Sequence, residues 1–174
     1  MSQLDPEILR DFQAESKDLV DQMIEILEKC EGDFSQVKSL EQYGLFVDRI
    51  MGGAKSLAMS ISDKNHIIHQ IGDYCAICKA VGYKASQIKD NEHFYDVVVA
   101  LLLDASEMLP KMLDLVGSNQ NLNTVLSKTF VERVKWVSEK FGAEYRSSVE
   151  VNKNAPKKMD QGDIDDLLKK LGLD

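Results

Sequence analysis

Apolar residues recur along this chain with the period of a helix, and no segment alternates as a half-buried strand would. Asp5 before Pro6 reads as an N-cap with proline at the first helical position. Ile8, Phe12, Leu19, Met23, Ile26 and Leu27 then give one stripe running to Gly32. A second helix is predicted over about 40–59 and a third over about 63–81, closed by Gly82. The fourth covers about 91–116, with Phe94, Val97, Val98, Leu101 and Leu102, and Pro110 should bend or interrupt it. A fifth, about 122–146, carries Val125, Leu126, Phe130, Val134, Val137 and Phe141. Five helices on short connections predict an all-α fold, an antiparallel helical bundle.

The last fifteen residues form a separate amphipathic unit. Ile164, Leu167, Leu168 and Leu171 fall on one stripe at i, i+3, i+4, i+7 spacing. Asp160 and Asp163 stand where an N-cap and first-turn acid belong, Lys169 and Lys170 lie in the last turn, and Gly172 is placed to stop the helix. So short a helix is marginal alone in water, which calls for an apolar groove on this protein or on a partner. Ahead of it, Ser147-Ser-Val-Glu-Val-Asn-Lys-Asn-Ala-Pro-Lys-Lys-Met159 is polar and broken by Pro156, the composition of a tether. The chain therefore divides into a bundle over 1–147, a flexible linker over 148–159 and a docking peptide over 160–174. A tethered helix points to an external partner, and folding back onto the home bundle is the alternative.

Composition narrows the function classes. With 174 residues, 44% of them apolar, there is chain for one good core and no room for two large domains. A net charge of −8 argues against nucleic acid or an anionic membrane surface as the main partner. No 18-residue apolar run and no basic-then-apolar leader is present, so the expected location is cytoplasmic. Three cysteines make no disulfide framework.

Gln161-Gly-Asp-Ile-Asp-Asp-Leu-Leu-Lys-Lys-Leu-Gly-Leu173 resembles the C-terminal peptide of the chemotaxis phosphatase CheZ family, and over Gln161 to Leu168 the CheY-binding peptide of the flagellar switch protein FliM. The resemblance implies binding of a CheY-like response regulator through Ile164, Leu167, Leu168, Leu171 and Leu173, with Asp163, Asp165 and Gly172 beside them. On the first helix, Asp18-Leu-Val-Asp-Gln22 is similar to the Asp-Leu-x-x-Gln catalytic stretch of CheZ. It implies that Asp18 and Gln22 act on the receiver's aspartyl phosphate, with Mg2+ on the receiver and no cofactor of this chain's own. Residues i and i+4 share a helix face, so both groups could meet a partner together. Whether the bundle dimerises as CheZ does stays open. Exposed Asp and Gln four apart also arise by chance, and Asp11-Phe-Gln13 does not keep the family's spacing.

Phe46-Val-Asp-Arg-Ile-Met-Gly-Gly-Ala-Lys-Ser-Leu-Ala58 resembles the phosphoacceptor helix of histidine phosphotransfer (HPt) domains, in which an Arg is followed by the phosphorylated His, then Lys and Gly. Arg49 and Lys55 fit that spacing. Gly52 stands where the His belongs and Ser56 where the Gly belongs, which excludes phosphotransfer at the usual site. With Phe46 at 0°, Gly52 falls at roughly 240°, outside the apolar arc, and so faces solvent. The opening helix, Phe12 to Met23, also looks like that of HPt domains. The resemblance implies an HPt-like four-helix core over 1–117, to which 122–146 adds an extra helix.

Other clusters fail on geometry. His66, His69, Cys75 and Cys78 have the residue types of a zinc set, yet on one helix the two pairs point apart and lie about 13 Å from each other along the axis. Cys75 and Cys78 sit among Ile67, Ile71, Tyr74 and Val81 and are expected to be buried thiols, with His66 and His69 solvated and His93 at a helix start. No metal site is expected. Two readings of function remain: a CheZ-type phosphatase that captures CheY with its tail, and a non-catalytic HPt-derived adaptor that binds a receiver domain or a kinase.

Overall fold

A computed structural model describes residues 4–118, 125–148 and 161–171, the backbone alone for 142–148, 161–163 and 170. Among the described residues six α-helices follow one another: α1 (Pro6–Cys30), α2 (Leu40–Ala58), α3 (Ile67–Ala85), α4 (Glu92–Leu115), α5 (Lys128–Ser148) and α6 (Gln161–Lys170). A 3-10 segment, Phe34–Ser39, joins α1 to α2. No strand occurs among the described residues, and the all-α bundle is the architecture observed.

Side chains at the helix ends explain the boundaries. Asp5 accepts a hydrogen bond from the Glu7 amide at 2.8 Å, with Pro6 in the first turn. After α1 and α4 the chain turns through Gly32 (φ 69°) and Gly117 (φ 93°), conformations that a side chain would strain. Two expected helices shift along the chain. The third helix starts at Ile67, where His66 Nδ1 accepts from the Ile68 amide at 3.2 Å, and it runs through Gly82 to Ala85. Gly82 is a packing position, since a Cβ there would lie 2.7 Å from Cδ1 of Tyr43. The fifth begins at Lys128, after Ser127 caps it by accepting from the Phe130 amide at 3.1 Å. Val125 and Leu126 therefore precede that helix, and residues 119–124 of the expected range lie outside the described residues.

The first four helices form a closed antiparallel ring. Phe12 meets Gly53, and Glu15 pairs with Arg49 at 3.0 Å, so α1 and α2 run in opposite directions. Across α2 and α3, Asp48 pairs with Lys79 at 2.6 Å and Tyr43 packs on Gly82. Tyr74 donates to the Ala105 carbonyl at 2.7 Å, which joins α3 to α4. The ring closes through Lys17 with Asp114 (2.6 Å) at one end, and through Tyr95, whose hydroxyl faces the carbonyls of Cys30 (2.7 Å) and Asp33 (3.0 Å), at the other. The ion pairs are exposed and contribute little. Apolar side chains, Val20, Met23, Leu27, Tyr43, Ile50, Ile71, Val98 and Leu109 among them, fill the interior.

Two further expectations change. Pro110 does not interrupt α4, which continues to Leu115 with Leu109, Met112 and Leu113 around the proline fully buried. Their burial outweighs the roughly 3 kcal/mol that an internal proline costs. Ile8, expected to open the core stripe, is 53% exposed, since the packed side of the first turn of α1 passes through Leu9 and not through Ile8. Its neighbour Leu9 packs there instead, against the core and toward Gly117.

Outside the ring, α5 and α6 make a second layer. α5 packs antiparallel on α4: Arg133 pairs with Asp104, and Phe141 meets Phe94 edge-on at 4.9 Å. α6 lies against α3 and α5. No helix among the described residues is long and apolar enough to cross a membrane.

Candidate functional site

α3 is the helix that the second layer requires. Ile67, Ile68, Ile71, Tyr74, Cys75, Ala76, Ile77, Cys78, Ala80 and Val81 are all buried, which leaves almost no solvent face. One side of α3 meets α2 and α4. Its other side needs cover, because a helix that is apolar all round is stable only when it is enclosed.

α6 supplies that cover. Ile164, Leu168 and Leu171 retain 3% exposure or less and Leu167 retains 8%, while Asp165, Asp166 and Lys169 face water. The stripe expected from its spacing is thus the buried side, and the groove that receives it belongs to this molecule. Folding back onto the home bundle, the alternative at the level of sequence, is the arrangement the structure has. Beneath Leu168 and Leu171 lies an apolar cavity of about 20 Å³, bounded by Tyr74, Ile77, Cys78 and Val81 of α3 and by Val131 and Val134 of α5. A void of that size costs about 0.5 kcal/mol in lost contacts. Asp163 belongs to α6 through its backbone. Gly172, Leu173 and the linker over 149–159 lie outside the described residues, and Ser148 closes α5.

The carboxylate and amide on α1 stand apart from that groove. Asp18 and Gln22 are both exposed, and the Gln22 side-chain amide donates only a long bond, 3.4 Å, to the Asp18 carbonyl one turn before it. Neither group is committed to a tertiary contact by this bond. α1 touches α2 and α4, whereas α6 touches α3, so the pair and the tail lie on opposite sides of the ring.

Gly52 is exposed on α2, and a Cβ built there would meet nothing within 4 Å. The position has space for a side chain and carries none. Arg49 is engaged with Glu15, and Lys55 lies along Gly72 of α3, its Cγ 3.4 Å from where a Cβ would stand. Gly53, by contrast, admits the Phe12 ring, which a Cβ would approach to 3.0 Å. The adjacent glycines thus differ in role: Gly53 serves internal packing and Gly52 does not.

Among the described residues no three His, Cys, Asp or Glu side chains gather where a metal could be held. Cys75 and Cys78 are buried thiols. Burial pushes Cys75 well up, and Cys78 is raised to about 12, again chiefly by burial. Neither is a nucleophile in this state. The histidines are more engaged than expected: His66 caps α3, and His69 Nε2 lies 3.2 Å from the Ile61 carbonyl. Burial lowers the His66 pKa, in keeping with a ring nitrogen that accepts an amide hydrogen. His93 is exposed in the first turn of α4.

A home groove is the alternative at the level of sequence, and the residues of α3 carry a signal for where it lies. Ile67-Ile-His-Gln-Ile-Gly-Asp-Tyr-Cys-Ala-Ile-Cys78 has apolar residues on nearly every side, more than a ring position uses. Comparison with protein-family models, with curated proteins and with solved structures finds no match to this chain.

Proposed function

We propose that this chain is a two-component signalling protein of the chemotaxis type, which captures a CheY-like response regulator with its C-terminal helix and promotes dephosphorylation of the captured receiver. One observation carries the reading: the apolar stripe Ile164, Leu167 and Leu168 on the ten-residue helix α6, continued by Leu171 just after it, stands in a sequence like the CheY-binding peptides of CheZ and FliM. Leu173 extends that likeness, with Asp163, Asp165 and Gly172 beside it. Residues 149–160 between α5 and α6 can span roughly 40 Å, more than the width of a helical bundle. A receiver held by the tail is then at high local concentration near any face of the bundle.

On α1, the exposed Gln22 amide is suited to hold a water in line with phosphorus, and Asp18 to engage the receiver's lysine. The water oxygen bonds to phosphorus as the bond to the aspartyl oxygen breaks, which releases phosphate and restores the carboxylate. Mg2+ belongs to the receiver. This chain supplies positioning and no cofactor of its own.

The bare helix surface at Gly52 favours a second reading, a non-catalytic adaptor derived from an HPt domain that binds a receiver or a kinase. Turnover separates the two. The lifetime of a phosphorylated CheY-type receiver is measured with and without the protein, and a shortened lifetime is expected. An unchanged lifetime with retained binding selects the adaptor. Removal of residues 160–174 is expected to weaken capture at least tenfold, and undiminished binding by the shortened chain rejects the tail's role.

A further inference from the structure

The stripe assigned to receiver capture is the stripe that fills the groove between α3 and α5. Ile164, Leu167, Leu168 and Leu171 are spent on that groove, and the outward side of α6 offers only Asp165, Asp166 and Lys169 among the side chains described. One set of apolar side chains cannot lie in two clefts at once. We propose that the α3/α5 groove is an internal receptor for the C-terminal helix, and that the docked helix is a latched state which a receiver must displace. The proposal rests on the reading of the tail as a receiver-binding segment.

Three features make the latch tight enough to matter and loose enough to open. First, the tether turns docking into an intramolecular event, at an effective concentration on the order of millimolar for a short linker. Second, α6 packs chiefly on α3 and α5 and turns Asp165, Asp166 and Lys169 to water, and the contacts that close the four-helix ring are made without it. Third, the cavity beneath Leu168 and Leu171 shows that the tail fills its groove incompletely. A receiver cleft that matches the stripe more closely can therefore compete. Apparent affinity for the receiver falls in proportion to the fraction of molecules whose tail is undocked.

The groove also states what it requires of an occupant. Its described walls, Tyr74, Ile77, Cys78, Val81, Val131 and Val134, offer apolar surface, so it selects an amphipathic helix with a leucine or isoleucine ridge. The chain carries one such helix at the end of a tether of sufficient length.

Docking is tested on the full chain by amide hydrogen exchange over Ile164–Lys170, beside a synthetic peptide of residues 160–174. Expected is protection at least tenfold above the peptide, because a ten-residue helix alone in water is mostly open. Equal exchange overturns the latch. Protection that disappears on about hundredfold dilution gives the groove to a second copy's tail and also overturns it. Competition is tested with a beryllofluoride-activated CheY-type receiver titrated against the peptide, the full chain and the Val134→Asp chain. The peptide is expected to bind at least fivefold more tightly than the full chain, with Val134→Asp close to the peptide. Equal binding by peptide and full chain overturns the competition and leaves the proposed function intact. A peptide that binds no receiver rejects the proposed function, and the exchange result then decides docking by itself.

Discussion

Gly82 on α3 and Tyr43 on α2 are in such close register that a methyl group on Gly82 would stand 2.7 Å from the ring's Cδ1 and 2.9 Å from its Cε1. The contact fixes how near the two helices approach, and Tyr43 is fully buried by it. Gly82→Ala is expected to destabilise the fold by about 1–3 kcal/mol, since the displaced ring has nowhere to go in a packed core. Gly52→Ala is the control. Its Cβ meets nothing, so helix propensity alone acts and stability rises by about 1 kcal/mol. Urea unfolding of the two variants checks the opposite signs.

Gln22→Ala is expected to abolish acceleration of receiver dephosphorylation while capture by the tail is unchanged. The side chain is exposed, so stability should move by less than about 0.5 kcal/mol. Single-turnover loss of phosphate from a labelled receiver is the measurement. A wild-type rate would remove Asp18 and Gln22 from the mechanism.

Tyr95 joins the start of α4 to the end of α1 by pointing its hydroxyl at the Cys30 and Asp33 carbonyls. Tyr95→Phe leaves those acceptors without this donor, and a loss of about 1–3 kcal/mol is expected. A lowered thermal midpoint with unchanged helix content by circular dichroism checks it.

Alkaline pH should unfold this protein through its core. The Cys78 thiol ionises near 9 when unfolded and near 12 when folded, and burial likewise lifts Cys75, Tyr43 and Tyr74. The folded state holds these protons more strongly. The stability these groups contribute is therefore full below pH 9 and falls as pH rises, from about pH 9 for the thiols and about pH 10 for the tyrosines, by up to about 1.4 kcal/mol per pH unit for each group. His66 acts in the opposite direction. Its folded pKa is lowered, so the stability it contributes is present above its unfolded value of 6.5 and is lost as pH falls. Urea midpoints across pH 5 to 11 check both limbs, and His66→Asn should flatten the acid one.

Helix content, helix order and several ends were legible in the sequence because they are local. Asp5-Pro6 writes the start of α1 and Gly32 its end, through caps that need no partner. Gly82 reads as a stop in the sequence and serves close packing in the structure, because one residue type suits both and only the position of Tyr43 decides which. The 3-10 segment at Phe34–Ser39 was not foreseen, its pattern being too short for periodicity to register. At the candidate sites, the exposure of Asp18, Gln22 and Gly52 followed from helical angles, whereas the engagement of His66 and His69 depended on a capping turn and on the Ile61 carbonyl.

By itself the sequence determined that this is an all-α protein ending in an amphipathic helix whose leucine ridge has to be covered. Periodicity along one chain is enough for that, since it states which side of a helix water rejects. Only the tertiary structure decided what covers the ridge. Burial belongs to two surfaces at once, and the second, the outer side of α3 with α5 along its edge, lies some ninety residues earlier in the chain and exists only once the ring has closed.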